Sequence, residues 1–110
     1  MRPPSKVQVG PLSYDVVLVA TDHPAVSDCA GRTERGAQNI WIDRQTGPDQ
    51  LRETVLHEVL HTVWGLAGLQ MDIDDVGEDS QGEKIINRVT PLLLDVLRRN
   101  PRLVAYLTEK

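Results

Sequence analysis

Residues 57–61 read His-Glu-Val-Leu-His. Two histidines four residues apart stand one above the other on a helix, so both imidazoles can reach one metal ion. The intervening Glu58 projects beside them, where a carboxylate can take a proton from a water polarised by that ion. By composition alone, the HExxH spacing arises in roughly 1% or less of chains this short. Its weight depends on two conditions: that it lies on a helix, and that a third ligand exists.

The helix is legible around the motif. Thr46-Gly47-Pro48-Asp49 carries start signals: a hydroxyl or carboxylate cap, a proline tolerated in the first turn, and an acid near the positive helix end. From Leu51 the apolar residues fall at 51, 55, 56, 59, 60, 63 and 67, a single stripe at helical period. This predicts a helix over about 49–67 whose buried face centres between Val59 and Val63. His57 and His61 lie on another side, shared with Thr54, Gly65 and Gly68. A face lined by small residues leaves room for an ion and for something bound to it.

A hydrolytic zinc site takes three protein ligands and keeps a fourth position open. The downstream carboxylates are Asp72, Asp74, Asp75, Glu78, Asp79 and Glu83. The first five lie in an acidic connector over 68–82, where acids need no explanation beyond solubility. Glu83 opens a second helix, with Asn87 one turn further on. Both flank its apolar stripe of Ile85, Ile86, Val89, Leu92, Leu93, Val96 and Leu97, at the rim that faces the histidines. Glu83 is therefore expected as the third ligand. Asn87 is expected to orient a ligand histidine through its other ring nitrogen. The plainer reading of Glu83 is an acid that stabilises a helix start.

HEVLH followed by Glu83-Lys-Ile-Ile-Asn87 resembles the gluzincin arrangement of zinc peptidases, in which a downstream helix carries Glu-xxx-Asp/Asn. The small size, and the order strand, strand, motif helix, glutamate helix, resemble minimal gluzincins. These include peptidases of phages and mobile elements and the peptidase domain of repressor-cleaving proteins. Over about 14–107 the resemblance implies an α+β, zincin-like fold, with a small mostly antiparallel sheet packed on the motif helix. It further implies Zn2+ held by His57, His61 and Glu83, and peptide-bond hydrolysis with Glu58 as general base. A peptide or protein substrate, a repressor among the options, follows from the same likeness. Asn87 stands where the family often has Asp, and Ala67 stands where metzincins carry a third histidine.

Two other readings use the same residues. Asp72-Ile-Asp74-Asp75-Val76-Gly77 with Glu83 matches an EF-hand calcium loop at its first, third, sixth and twelfth positions. It fails at the fifth, where Val76 offers no side-chain oxygen, and at the eighth, where Asp79 replaces an apolar residue. A non-catalytic or latent metal-stabilised binding module would keep the ligands, but it would have no use for Glu58. No oxyanion stabiliser is singled out by spacing; Tyr14, His23, Arg32 and Tyr106 are the candidates.

The remaining chain supplies one modest domain of 110 residues. Residues 1–6 read as a loose tail and 7–9 as a short strand before Gly10-Pro11. Tyr14–Ala20 reads as a buried strand, and 21–36 as a loop-rich stretch. Gln38–Asp43 alternates as a half-buried strand, with Trp41 in the core, and is expected beside the cleft. As a sheet edge it would let an extended peptide pair with it. Pro91 predicts a kink or break near 89–90, and Arg102–Thr108 a short last helix. The net charge of −4 and the lack of a Lys/Arg stripe argue against nucleic acid as a partner. No apolar run is long enough for a bilayer, so no membrane partner is expected either. Cys29 is alone and read as an incidental thiol, which favours a cytoplasmic setting.

Overall fold

A computed structural model describes residues 1–110. The chain forms an α+β domain with one four-stranded sheet and three helices. The strands are β1 (Lys6–Val9), β2 (Leu12–Val19), β3 (Gly31–Glu34) and β4 (Asn39–Asp43). The helices are α1 (Pro48–Leu66), α2 (Gln81–Arg99) and α3 (Pro101–Thr108). No helix is long and apolar enough to cross a membrane.

The sheet order is β1-β2-β4-β3. β1 and β2 form an antiparallel hairpin closed by Gly10-Pro11. Gly10 has φ +56° at the first loop position, which a two-residue hairpin turn requires and a side chain would strain. β2 then pairs parallel with β4, Val16 opposite Ile40 and Leu18 opposite Ile42. β3 fills the other side of β4 in antiparallel register. The sheet is thus mixed, antiparallel at both outer pairings and parallel at the centre. The tail is shorter than expected, because the Ser5 carbonyl accepts from the Val16 N–H and Lys6 pairs with Asp15.

β3 lies in the stretch read as loop. Its residues Gly-Arg-Thr-Glu carry no apolar alternation, so nothing in the periodicity marks a strand. Its presence also corrects the place of Asn39–Asp43, which is an inner strand and offers no free edge. The strand against the motif helix on the site side is β3.

One face of the sheet supplies the core: Tyr14, Val16, Ile40 and Ile42, with Leu51, Val55 and Val59 of α1 packed on it. Trp41 points to the opposite face, half-buried, and stacks on His23. α1 also packs against β3 and α2, so it has more than one buried side. Thr54, Glu58, His61 and Thr62 are its buried residues, while Val63, predicted near the centre of the buried stripe, is 42% exposed. The small residues beside the histidines serve close approach of backbone. A Cβ on Gly31 of β3 would stand 2.8 Å from Thr54 Cγ2 and 3.2 Å from Glu58 Cγ. A Cβ on Gly65 would collide with the Arg35 side chain.

α2 runs through Pro91 without a break. The carbonyl that loses its partner belongs to Asn87, which is exposed and can be solvated. Gly31→Ala is expected to destabilise the fold by about 1–3 kcal/mol through overpacking between β3 and α1. Gly36→Ala, with nothing within 4 Å of its Cβ, serves as the control. Urea unfolding midpoints of the two variants check this.

Candidate metal centre

His57 and His61 lie one turn apart on α1, and Glu83 reaches them from the first turn of α2. Glu83 Oε1 is 2.8 Å from His57 Nε2 and 3.1 Å from His61 Nε2, and the two Nε2 atoms are 3.2 Å apart. One donor atom from each residue can serve a common metal ion. Tetrahedral ligands held about 2.0–2.1 Å from zinc stand about 3.3 Å from one another. Opening this triangle by a few tenths of an ångström meets that geometry.

The start of α2 shows why Glu83 is free to do this. Ser80 caps the helix, its Oγ accepting from the Glu83 N–H at 3.2 Å. In a reciprocal capping box the Glu83 carboxylate would bond back to the Ser80 N–H. Here that N–H goes to the Gly77 carbonyl at 3.2 Å, and the carboxylate turns to the histidines. The helix-start role alone does not account for where Glu83 points.

His61 is held from behind by Asp75, whose Oδ2 lies 2.8 Å from His61 Nδ1. A carboxylate that accepts from Nδ1–H leaves the Nε2 lone pair facing the triad. Asp75 has no exposed side-chain surface. Arg35 grips both its oxygens in a fork, with Nη1 3.1 Å from Oδ1 and Nη2 on Oδ2, and also donates to the His61 carbonyl at 2.7 Å. Burial alone would push the Asp75 carboxyl up, but the Arg35 fork and His61 outweigh it and hold it below the usual range. Backbone contacts fix its position. Trp64 Nε1 donates to the Ile73 carbonyl at 2.9 Å, and the Gly82 N–H donates to the Asp74 carbonyl at 2.7 Å. A Cβ on Gly82 would stand 2.7 Å from Asp75 Cβ, so only glycine lets the connector lie this close to α2.

Glu58 is buried beside the triad. Its Oε1 accepts from Thr33 Oγ1 at 2.8 Å, and its Oε2 is 3.7 Å from His57 Nε2. Burial raises its pKa, and the Thr33 bond and the two histidines only partly offset this. A groove lined by Gly31, Cys29, Glu58, Glu78 and Glu83 passes the triad between β3 and α2.

The structure thus brings His57, Glu58, His61 and Glu83 together. Asn87 is exposed, lines the groove, and makes no hydrogen bond to either histidine; Asp75 has the orienting position instead. Glu83 turns inward to the histidines, which removes the twelfth-position carboxylate that an EF-hand loop over 72–83 would need. Of the oxyanion candidates, Tyr14 is in the core, Tyr106 is exposed on α3 and His23 stacks on Trp41; Arg32 alone lines the groove. Nothing in the sequence marks Thr33 or Arg35, and Asp75 stands there only among the candidate ligands. Asp75 is one of five connector acids with no spacing to separate it from the others.

No known protein family, curated protein or solved structure matches the chain. The site geometry therefore carries the functional reading. For the metal-loaded triad, Asp75→Asn is expected to weaken metal affinity about 10–100-fold, as loss of an orienting carboxylate does. Asp72→Asn, in the same connector, is expected to leave it unchanged. Competition against a chromogenic chelator measures both.

Proposed function

We propose that this chain is a zinc-dependent peptidase of gluzincin type with a zincin-like fold, acting on a peptide or protein substrate. The observation that carries the reading is Glu58. A carboxylate with 5% exposure, one oxygen tied by Thr33 and the other beside a ligand triad, has no structural task that a neutral residue would not do better. Its raised pKa suits a group that must both take and return a proton near neutral pH.

The residues present fit a divalent ion. Two imidazoles and one carboxylate are a donor set of catalytic zinc sites. Three carboxylates, Glu58, Glu83 and Asp75, stand against the two histidines, and of these only Asp75 is paired with a guanidinium, that of Arg35. When bound, zinc supplies Lewis acidity toward a water and a scissile carbonyl. His57, His61 and Glu83 hold the ion, and Asp75 keeps His61 in the right tautomer. Glu58 Oε2 removes the proton from the attacking water and delivers it to the leaving amine nitrogen. Arg32 is the one cation-bearing oxyanion candidate on the groove wall. The groove beside β3 has room for an extended chain.

Purified protein expressed with zinc is expected to contain about one zinc per chain, and His57→Ala or His61→Ala to lose it. Metal analysis without stoichiometric zinc in the parent protein overturns the assignment. Glu58→Gln is expected to keep both fold and zinc and to cut cleavage of a peptide library by about 10²–10⁴-fold. Equal rates for parent and Glu58→Gln proteins would assign the cleavage to another mechanism. That result would return the site to a metal-stabilised binding role.

A further inference from the structure

A general base works reliably only if its carboxylate is held in a fixed orientation. Thr33 sits on β3, across the groove wall from α1, and its hydroxyl lies 2.8 Å from Glu58 Oε1 and 3.1 Å from the Glu58 backbone carbonyl. Both neighbours are acceptors, and the carboxylate is the closer and the charged one, so the hydroxyl hydrogen goes to Oε1. Glu58 Oε2 has no hydrogen-bond partner and is the oxygen nearer His57 Nε2, at 3.7 Å. The contact exists because Gly31, two residues earlier on the same strand, lets β3 lie directly on α1 at Thr54 and Glu58.

We infer that Thr33 is a positioning residue for Glu58: its hydroxyl pins Oε1 to the strand, so that Oε2 alone is presented to the triad. This rests on the metallopeptidase reading above and adds to it a strand residue that touches neither ion nor ligand. Without the hydroxyl, the carboxylate of a buried glutamate turns freely about its last torsion, which is broad, and its plane no longer aims an oxygen at the triad. Thr33 therefore acts on the chemical step and on any ligand that hydrogen-bonds to Glu58, and leaves metal binding alone.

The test uses the full zinc-loaded chain and acetohydroxamate, a small zinc-binding group whose hydroxyl and N–H can hydrogen-bond to a neighbouring carboxylate. Affinity is read by calorimetry, independently of any substrate. Thr33→Val, which keeps shape and removes the hydroxyl, is expected to retain one zinc and weaken acetohydroxamate roughly tenfold, the effect of losing a hydrogen bond to a charged group. Thr33→Ser restores binding to near the parent value. On a Glu58→Ala background, Thr33→Val has no further effect, because nothing remains to be positioned. With a cleaved peptide, Thr33→Val lowers kcat at least tenfold and moves KM by less than about twofold. Unchanged acetohydroxamate affinity in Thr33→Val, additive losses in the double variant, or loss of zinc from Thr33→Val each overturn the positioning role. A parent protein that takes no zinc, or takes zinc but no acetohydroxamate, overturns instead the reading on which it rests.

Discussion

Asp75 is a fully buried carboxylate, and the site is organised around the means by which that burial is tolerated. Taking a carboxylate out of water costs several kcal/mol unless its oxygens are saturated by donors. Arg35 supplies a two-pronged partner and His61 a third bond. Each of these bonds ties a different part of the chain. Arg35 belongs to the turn after β3, His61 to α1, and Asp75 to the connector that enters α2. One carboxylate thus joins the sheet edge, the motif helix and the glutamate helix. The distance between His61 and Glu83 is a consequence of this junction, since the connector that carries Asp75 also sets where α2 begins. Breaking a buried pair by removing one partner leaves the other charge stranded, so the junction holds all three elements or none.

This arrangement asks α1 to bury a polar face. Thr54, Glu58, His61 and Thr62 are more buried than Val63 or Leu66 of the same helix. Such a face is tolerated when its buried side chains find hydrogen-bond partners. Thr62 Oγ1 bonds the Val59 carbonyl, Glu58 bonds Thr33, and His61 bonds Asp75. It also needs its neighbours to come close: Gly31 lets β3 lie on Thr54 and Glu58, Gly65 admits the Arg35 side chain, and Gly82 lets the connector lie against α2. Close packing at glycine and hydrogen bonding of buried polar side chains are here two aspects of one requirement. The result is rigidity, because Glu58 and His61 cannot change rotamer without breaking a hydrogen bond to a neighbour.

The sequence made the motif helix, the second helix with Glu83 in its first turn, and the two central strands legible, because each has an apolar period or a start signal of its own. His57, Glu58, His61 and Glu83 were legible for a similar reason: their spacing on helices is itself the signal. β3 was not legible, since its strand character comes wholly from pairing with β4 and from packing on α1, and Arg32-Thr33-Glu34 has no local preference to report. The partners Thr33, Arg35 and Asp75 share this property. Each meets its target across 14 to 40 positions of chain, through contacts that depend on sheet order. The orienting role expected of Asn87 failed for a geometric reason: the residue lies one turn beyond Glu83 on an exposed part of α2, while the connector comes in behind His61. The stripe on α1 misled in its centre because a helix wedged between sheet and second helix has no single buried side.

Glu58 and Asp75 are both carboxylates close to His61, yet their environments drive them in opposite directions. Both are desolvated, and desolvation raises both. Asp75 is then pulled down by a guanidinium that grips two oxygens, whereas Glu58 has only a neutral hydroxyl and two imidazoles to offset burial, with the Glu83 carboxylate adding to the rise. The division follows from position on the Arg35 side or the Thr33 side of His61. A carboxylate whose pKa is driven down is fixed as an anion and can orient a ring by accepting its N–H. One that is raised can change protonation state at modest cost. A single site built from one kind of acid thereby holds one carboxyl below its usual range and the other above it, a division of like groups by environment that acid–base sites also use.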